Sequence, residues 1–219
     1  MTITVFGHPA STCTLVVLHS LKELGLSYEL VKPSSFEEIK TPEYIATKHP
    51  FGRIPSLSDD GFHIYESRAI IRYLINKYQG TKTSTILIPS DVHKAALVDQ
   101  FISVETSYYS PHLSKLVYQL VFKKHHGGEP DLKIVNEARD EIGKTLDVYE
   151  KLLEGKDYLT GEFSLADLLH IPYAFYVFKI GEGDLWNKRP NVSRWWKNLS
   201  ERECWKNIVT EYKLLELEQ

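Results

Sequence analysis

The sequence has little cysteine and no long apolar run. Cys13 and Cys204 are its only cysteines, which is too few for a disulfide framework in a chain of 219 residues. No stretch approaches the roughly 20 apolar residues that a membrane-spanning helix needs. The first residues, MTITVFGHP, also lack the basic and then apolar layout of a secretory signal. We therefore expect a cytoplasmic protein that does not enter a membrane.

A strong charge of one sign is also missing. The formal net charge is −3, and the basic residues are scattered among acidic ones. This pattern is typical of a solvated surface and gives no electrostatic basis for binding nucleic acid. The composition, 42% hydrophobic and 25% charged, is ordinary for a globular protein with a buried core.

Strand and helix signals alternate over residues 1–79. TITVF and SYELVK are predicted strands, and the apolar residues between them recur at helical spacing until Gly25 ends the pattern. A short helix with Pro42 in its first turn, a hairpin around an acidic turn and an amphipathic helix follow. The predicted order is β-α-β-α-β-β-α, an α/β domain whose sheet has parallel and antiparallel parts.

The second half of the chain carries helical patterns and no convincing strand. The segment 91–123 is expected to be a long helix with a bend near Pro111. SLADLLHIPYAFYVF is strongly apolar and is expected to be one buried helix. The polar segment 80–90 has helix-breaking ends and is the predicted linker. We therefore predict an all-helical domain at 91–219 after the α/β domain.

FSLADLL carries the start signal of a helix. Ser164 is placed as the N-cap, and Asp167 stands three residues later, where its carboxylate can reach back to the N–H of Ser164. The alternative is that Asp167 acts as a catalytic acid. Because the capping box explains the pair by a local mechanism alone, we assign both residues a structural role.

HPASTCTL lies at the first strand-to-helix turn and offers Ser11, Thr12 and Cys13 in succession. A thiolate bound there would be stabilised by the helix N-terminus and by a hydroxyl donor. A serine is too weak an acid to attack without a base beside it. We interpret Ser11 as a hydrogen-bond donor to the sulfur of another molecule, while Cys13 is either a small packing residue or a reactive thiol.

Two further turns have the chemistry to hold a peptide-like ligand. In GRIPSL, a cis Ile54–Pro55 bond would turn the backbone N–H and C=O of Ile54 outward, where they can pair with an extended peptide. In YESRAI, Glu66 and Ser67 stand at a helix start. The first-turn N–H groups suit a carboxylate, and Glu66 suits an ammonium. The alternative is that Glu66 and Ser67 only cap the helix.

Taken in order, these turns resemble a known family. P-x-S-T, P-F-G-R-I-P, E-S-R-A-I and F-S-L-A-D occur at the intervals found in cytosolic glutathione transferases, and with N-V-S-R-W-W they are most similar to the phi class. The resemblance covers nearly the whole chain and implies a thioredoxin-like domain followed by an all-helical one. It also implies a homodimeric enzyme that conjugates glutathione, its co-substrate, to small hydrophobic electrophiles, with some glutathione-dependent peroxidase activity and no prosthetic group.

The resemblance implies roles for particular residues. Ser11 would donate its hydroxyl to the sulfur of glutathione and stabilise the thiolate. The residues that would bind the tripeptide are Lys40, Arg53, Ile54, Pro55, Glu66 and Ser67. Lys40 would face the glycyl carboxylate, and Ile54 would pair with the cysteinyl backbone. Glu66 and Ser67 would hold the γ-glutamyl end. The electrophile would lie between the two domains, near Phe36, His112, Leu116, Tyr118 and Phe178.

The sequence departs from the phi pattern in the same turns. No basic residue follows Ser11 in the first helical turn. Arg53 and Ile54 stand where Gln and Val are commoner, and His49 stands where Asn is common. Arg53 would then strengthen carboxylate binding and offset the missing charge. Two alternatives to conjugation stay open: a thiol–disulfide reductase that depends on Cys13, and a non-catalytic binder of hydrophobic ligands.

Two remaining features are expected to be inert. HHGG at 125–128 resembles part of a metal site, but two adjacent histidines before two glycines are typical of a loop, and no third ligand is evident. No metal is predicted. Cys204 stands beside Trp205 in a late helix and is expected to pack there.

Overall fold

The computed structural model describes residues 2–123 and 127–216. Among these residues, no helix is long and apolar enough to cross a membrane. His125 and His126, the histidines of the HHGG stretch, lie outside the described residues.

The chain forms two compact units. One holds the residues up to Ile86 together with Asn207–Leu214, and the other holds the rest of the described chain. The predicted linker, 80–90, contains the boundary. The grouping of 207–214 with the first unit differs from the prediction, and it includes a contact of 3.0 Å between the hydroxyls of Tyr28 and Tyr212. This pairing joins residues far apart in sequence, so no local pattern signals it.

The first unit contains a four-stranded sheet and its helices. The strands are β1 Ile3–Phe6, β2 Tyr28–Val31, β3 Ser56–Asp59 and β4 Phe62–Tyr65. The helices are α1 Thr12–Glu23, α2 Pro42–Thr47 and α3 Ser67–Tyr78, with a 3₁₀ turn at Glu38–Lys40. The predicted order β-α-β-α-β-β-α is confirmed.

The sheet order is β2-β1-β3-β4. β1 runs parallel to β2 and antiparallel to β3, and β3 is antiparallel to β4. In this register Phe6 lies opposite Ser56, and Ser56 lies opposite Tyr65. Consequently, the segments that follow β1, precede β3 and follow β4 all meet at one end of the sheet.

Apolar faces at helical spacing hold α1 against α3. Leu15, Leu18, Ile70 and Leu74 are all fully buried, and burial of such side chains is the main favourable term in folding. α1 ends before Gly25, whose φ is +68°, a value that favours glycine. A β-carbon at this position would also lie 2.7 Å from Cγ2 of Thr83.

The described part of the second unit is all helical, as predicted. Its α-helices are α4 Val92–Val104, α5 Ser110–Val117, α6 Leu132–Leu152, α7 Leu165–Leu168, α8 Ile171–Lys179, α9 Asp184–Asn187, α10 Pro190–Ser200 and the start of α11 Glu203–Glu211. Two π-helical segments, Glu105–Tyr109 and Tyr118–Phe122, follow α4 and α5.

Two helices differ from the prediction. The 91–123 pattern is interrupted by π-helical Glu105–Tyr109, and Pro111 lies in the first turn of α5. The apolar stretch expected to be one buried helix is two, α7 and α8, with Pro172 in the first turn of α8. Proline has no N–H to donate, and its ring clashes with the carbonyl four residues before it, so it is disfavoured inside a helix. Each of these prolines therefore lies where a new helix begins.

Ser164 and Asp167 form a capping box at the start of α7. The N–H of Ser164 donates to Oδ2 of Asp167 at 3.1 Å. Oδ1 accepts the N–H of Leu159 and the Nε1–H of Trp195, each at 2.9 Å. Burial raises the pKa of the Asp167 carboxyl to about 6, although these donors favour the ionised form. The carboxylate thus ties the start of α7 to α10.

Candidate functional site

Ser11 occupies the N-cap of α1. Its backbone is extended, with φ −79° and ψ 124°, and its Oγ accepts the N–H of Thr14 at 3.3 Å. The turn before it is closed by His8, whose carbonyl accepts the N–H of Ser11 at 2.9 Å. A hydroxyl that accepts one hydrogen bond still has its own proton to donate. Ser11 is half-buried, so it can present that proton to a ligand at the positive end of a 12-residue helix.

Cys13 lies inside the first turn of α1 and not at its cap. It is half-buried, and neither it nor Cys204 is in a disulfide. A thiol in this turn lies close to helix N–H groups, which lower a thiol pKa. Ser11 and Cys13 therefore differ in geometry: Ser11 accepts a first-turn N–H from outside the helix, whereas Cys13 belongs to the helix itself.

The segment before β3 is the second component. The Ile54–Pro55 peptide bond is cis. Tyr44 of α2 donates its hydroxyl proton to the carbonyl of Arg53 at 3.1 Å, and Nζ of Lys40 donates to the carbonyl of Gly52. The side chains of Lys40 and Arg53 are both exposed. Lys40 belongs to the 3₁₀ turn before α2, but its Nζ contacts Gly52, the neighbour of Arg53. Both cations therefore belong to, or contact, the segment before β3.

The third component is the junction between β4 and α3. Glu66 is the N-cap of α3, but its side chain does not cap the helix. Its backbone φ is +70°, which is uncommon for a residue other than glycine. Ser67 is the first residue of α3 and is buried. The idea that both residues only cap the helix is wrong, because Ser67 lies inside the helix and the Glu66 carboxylate is directed elsewhere.

The sheet register brings these three components together. Since Phe6, Ser56 and Tyr65 are neighbours across β1, β3 and β4, the turns that follow or precede them lie at the same end of the sheet. Both α1 and α3 begin there, so two helix N-termini are available to negative charge. This arrangement can bind an extended anionic peptide.

His49 lies in the segment before β3, and the sequence assigned it no role. It is almost completely buried, and its Nε2 lies 3.7 Å from Oε1 of Glu66. Burial lowers the pKa of His49. The Glu66 carboxylate opposes that shift, while Arg53 and Lys40 add to it. The net shift favours the neutral form of the ring. No local signal connects residues 17 positions apart, so only the folded chain reveals the pair.

The five residues predicted to contact an electrophile have different surroundings. His112 and Tyr118 line a cleft of about 610 Å³ in the second unit, between α5 with its following π segment and α6. Leu116 is fully buried, so it packs in the core and offers no surface to a ligand. The ring of Phe178 stacks on Trp196 at 4.9 Å. Phe36, in the first unit, is 65% exposed.

A sheet of this order, with a cis proline before β3, defines a thioredoxin-like unit, and an all-helical unit follows it. Comparison with known proteins agrees with this two-unit architecture. The family model "Glutathione S-transferase, N-terminal domain" matches residues 1–76, and "Glutathione S-transferase, C-terminal domain" matches residues 109–203.

Individual relatives match over almost their whole length. The chain is 36% identical over 217 residues to glutathione S-transferase F10 of Arabidopsis thaliana, covering 98% of this chain and 99% of that protein. It is 41% identical over 216 residues to glutathione S-transferase hmp2 of Hypomyces subiculosus, with coverage of 96% and 99%.

Solved structures agree as well. Glutathione transferase F7 from Populus trichocarpa is 37% identical and superposes with a TM-score of 0.90, covering 96% of this chain and 99% of that one. Glutathione S-transferase I from mais, in complex with an atrazine glutathione conjugate, is 31% identical with a TM-score of 0.87 and coverage of 96% and 98%. The chain therefore belongs to the glutathione S-transferase family, and its similarity to the phi, or F, class is confirmed.

Proposed function

We propose that this glutathione transferase conjugates reduced glutathione to small hydrophobic electrophiles through a thiolate stabilised by Ser11. The observation that carries the proposal is the position of Ser11 as the N-cap of α1, where its Oγ accepts a backbone N–H and its proton is left to donate. The atrazine glutathione conjugate bound to the related mais enzyme supports an apolar acceptor.

The magnitudes are consistent with this role. A free thiol has a pKa of about 8.5, so lowering it by about two units requires roughly 2.7 kcal/mol of preferential thiolate stabilisation. A hydrogen bond to a charged group contributes about 1.5–3 kcal/mol. A helix N-terminus contributes about 0.3–1 kcal/mol. Ser11 and α1 together therefore suffice, without a basic residue in the first turn.

The tripeptide would lie across the end of the sheet. Ile54 would pair its backbone with the cysteinyl residue, as an added strand does. Glu66 would hold the ammonium of the γ-glutamyl end, and Ser67 with the first turn of α3 would hold its carboxylate. Lys40 and Arg53 would attract the glycyl carboxylate, because both residues are exposed and Lys40 contacts Gly52, two residues before Ile54.

The decisive experiment compares Ser11→Ala with wild type across pH. We expect kcat/KM for conjugation of an aryl halide to fall about tenfold to a hundredfold at pH 6.5. The loss should shrink above pH 8.5, because the bound thiol then ionises without help. Asp91→Ala, which removes an N-cap from α4, controls for the loss of a cap alone. Unchanged conjugation by Ser11→Ala would refute the proposal.

The two alternatives predict other outcomes in the same assay set. A reductase would lose its activity on a mixed disulfide in Cys13→Ser while conjugation stays absent throughout. A carrier of apolar ligands would bind glutathione and a hydrophobic dye with no turnover. A hydroperoxide added as second substrate tests the peroxidase activity. We favour conjugation because Ser11, and not Cys13, occupies the cap position.

We also propose a cytoplasmic homodimer active in detoxification. The reaction consumes a reduced thiol, and the cytosol is the compartment that keeps thiols reduced. Phe51 and Phe62 of the first unit are 71% and 50% exposed, and large aromatic side chains of this kind favour burial against a second copy. Light scattering should give a dimer mass for wild type, and Phe51→Ser should shift it toward the monomer. A monomeric wild type would contradict the dimer.

A further inference from the structure

His49 is held in place by contacts to both its backbone and its ring. Its N–H donates to the carbonyl of Tyr44 at 3.2 Å, and its carbonyl accepts the N–H of Gly52 at 2.8 Å. The imidazole contacts the rings of Tyr65 and Phe51, with centroids 4.8 and 6.1 Å away. A polar ring fixed this firmly keeps its two nitrogens pointing in defined directions.

Its two nitrogens have different partners. The N–H of Phe51 donates to Nδ1 at 3.3 Å, which requires Nδ1 to be unprotonated. In the neutral ring the proton is then on Nε2, an assignment that follows from this hydrogen bond. Nε2 lies 3.7 Å from Oε1 of Glu66, so its N–H faces a carboxylate. That distance is longer than a hydrogen bond. We expect rotation of the exposed Glu66 side chain to shorten it.

Glu66 has a fixed backbone and a mobile carboxylate. Its backbone is set by the φ of +70°, and its carbonyl accepts the N–H of Ile70 at 2.9 Å. Its side chain is 66% exposed and therefore has several rotamers open to it. A donor on one side of the carboxylate reduces this freedom before a ligand arrives, and such preorganisation increases affinity.

We propose that His49 is a positioning residue for glutathione, whose Nε2–H orients the Glu66 carboxylate toward the ammonium of the ligand. The inference rests on the proposed function, because it requires the γ-glutamyl end to meet Glu66. His49 itself does not touch the substrate and takes no part in the chemistry at sulfur.

Two substitutions distinguish the roles of the two ring nitrogens of His49. In His49→Asn the short amide can accept the N–H of Phe51 but cannot reach Glu66. In His49→Gln the longer amide can present an N–H near the position of Nε2. We expect His49→Asn to weaken glutathione binding about threefold to tenfold, as for one charge-assisted contact, and His49→Gln to restore most of it. The kcat at saturating glutathione should stay unchanged in both variants.

A truncated ligand distinguishes positioning from general support of the segment. Glutaryl-cysteinyl-glycine lacks the α-ammonium of glutathione, so its affinity should be equal in wild type and His49→Asn. In the Glu66→Ala background, where His49 has no side-chain acceptor to orient, His49→Asn should have no further effect on glutathione binding. His63→Asn, on the exposed β4, serves as the control and should bind both ligands as wild type does.

Three results would overturn the positioning role. They are unchanged glutathione affinity in His49→Asn, equal losses for glutathione and the truncated ligand, and a full additional loss in the Glu66→Ala background. Calorimetry on wild type separates this failure from that of the proposed function. If wild type binds no glutathione, both proposals fall. If wild type binds glutathione and one of these three results is observed, only the positioning role of His49 is refuted.

Discussion

Removal of the Asp167 carboxylate should cost the second unit a large part of its stability. The side chain is fully buried, and it accepts hydrogen bonds from three N–H groups, those of Leu159, Ser164 and the Trp195 indole. In Asp167→Ala all three donors lose their acceptor. An unsatisfied buried donor costs about 1–3 kcal/mol, so the sum is about 3–9 kcal/mol before relaxation. Natural domains have only about 5–15 kcal/mol to lose.

Asp167→Asn should be milder because one oxygen remains. That oxygen can replace Oδ1 and keep the donors from Leu159 and Trp195, while the amide NH₂ then faces the N–H of Ser164. Only one acceptor is lost, so we expect a cost of about 1–3 kcal/mol at pH 7. The predicted order of stability is therefore wild type, then Asn, then Ala.

Urea unfolding at fixed protein concentration, followed by tryptophan fluorescence and circular dichroism, measures this order. Asp91→Asn is the matched control, because Asp91 caps α4 at an exposed position and Asn is an equally good cap. It should change the unfolding free energy by only a few tenths of a kcal/mol. A loss below about 1 kcal/mol in Asp167→Ala, or equal losses in Ala and Asn, would show that the three donors find other partners.

Three further outcomes follow from the same structure. Burial raises the pKa of Asp167 from 3.8 to about 6, so the folded state binds this proton more tightly. The unfolding free energy of wild type relative to Asp167→Asn should therefore fall by up to about 3 kcal/mol as the pH rises from 4 to 6, as measured by urea titrations. A difference in unfolding free energy that does not change with pH would contradict the pKa shift. Arg53→Gln should raise the KM for glutathione severalfold in steady-state kinetics, and an unchanged value removes its carboxylate role. Gly183→Ala should cost about 1–3 kcal/mol by calorimetry, because the added β-carbon would lie 2.7 Å from the ring of Phe178, and a neutral effect would mean that the ring moves freely.

Most of the fold follows from local chemistry. The period of apolar residues, Gly25 after α1 and Pro42 at the start of α2 are short-range signals, and each element they predict is present. The hydrogen-bonding pattern of the helices in the second unit is harder to predict from local signals. The π segment after α4 begins at the buried Glu105, and a period of 3.6 residues carries no signal for such a segment.

The candidate site shows where sequence reasoning stops. Ser11, Ile54 and Glu66 are each visible as residues at a turn, but their convergence depends on the register between β1, β3 and β4, which no single turn contains. The same limit applies more strongly to His49. Its Nδ1 partner is two residues away and its Nε2 partner is 17 residues away, so only the nearer contact has a sequence signal.

A local signal can also carry two meanings at once, and Ser11 is the example. An N-cap serine and a thiolate-binding serine are the same side chain in the same place, because the hydroxyl accepts from Thr14 and retains a proton to donate. Structural and functional roles therefore do not compete at this residue. Loss of the cap alone should lower stability at every pH, whereas loss of the donor should lower conjugation chiefly below the pKa of the free thiol. The pH dependence, and not the size of the loss, is what separates the two roles.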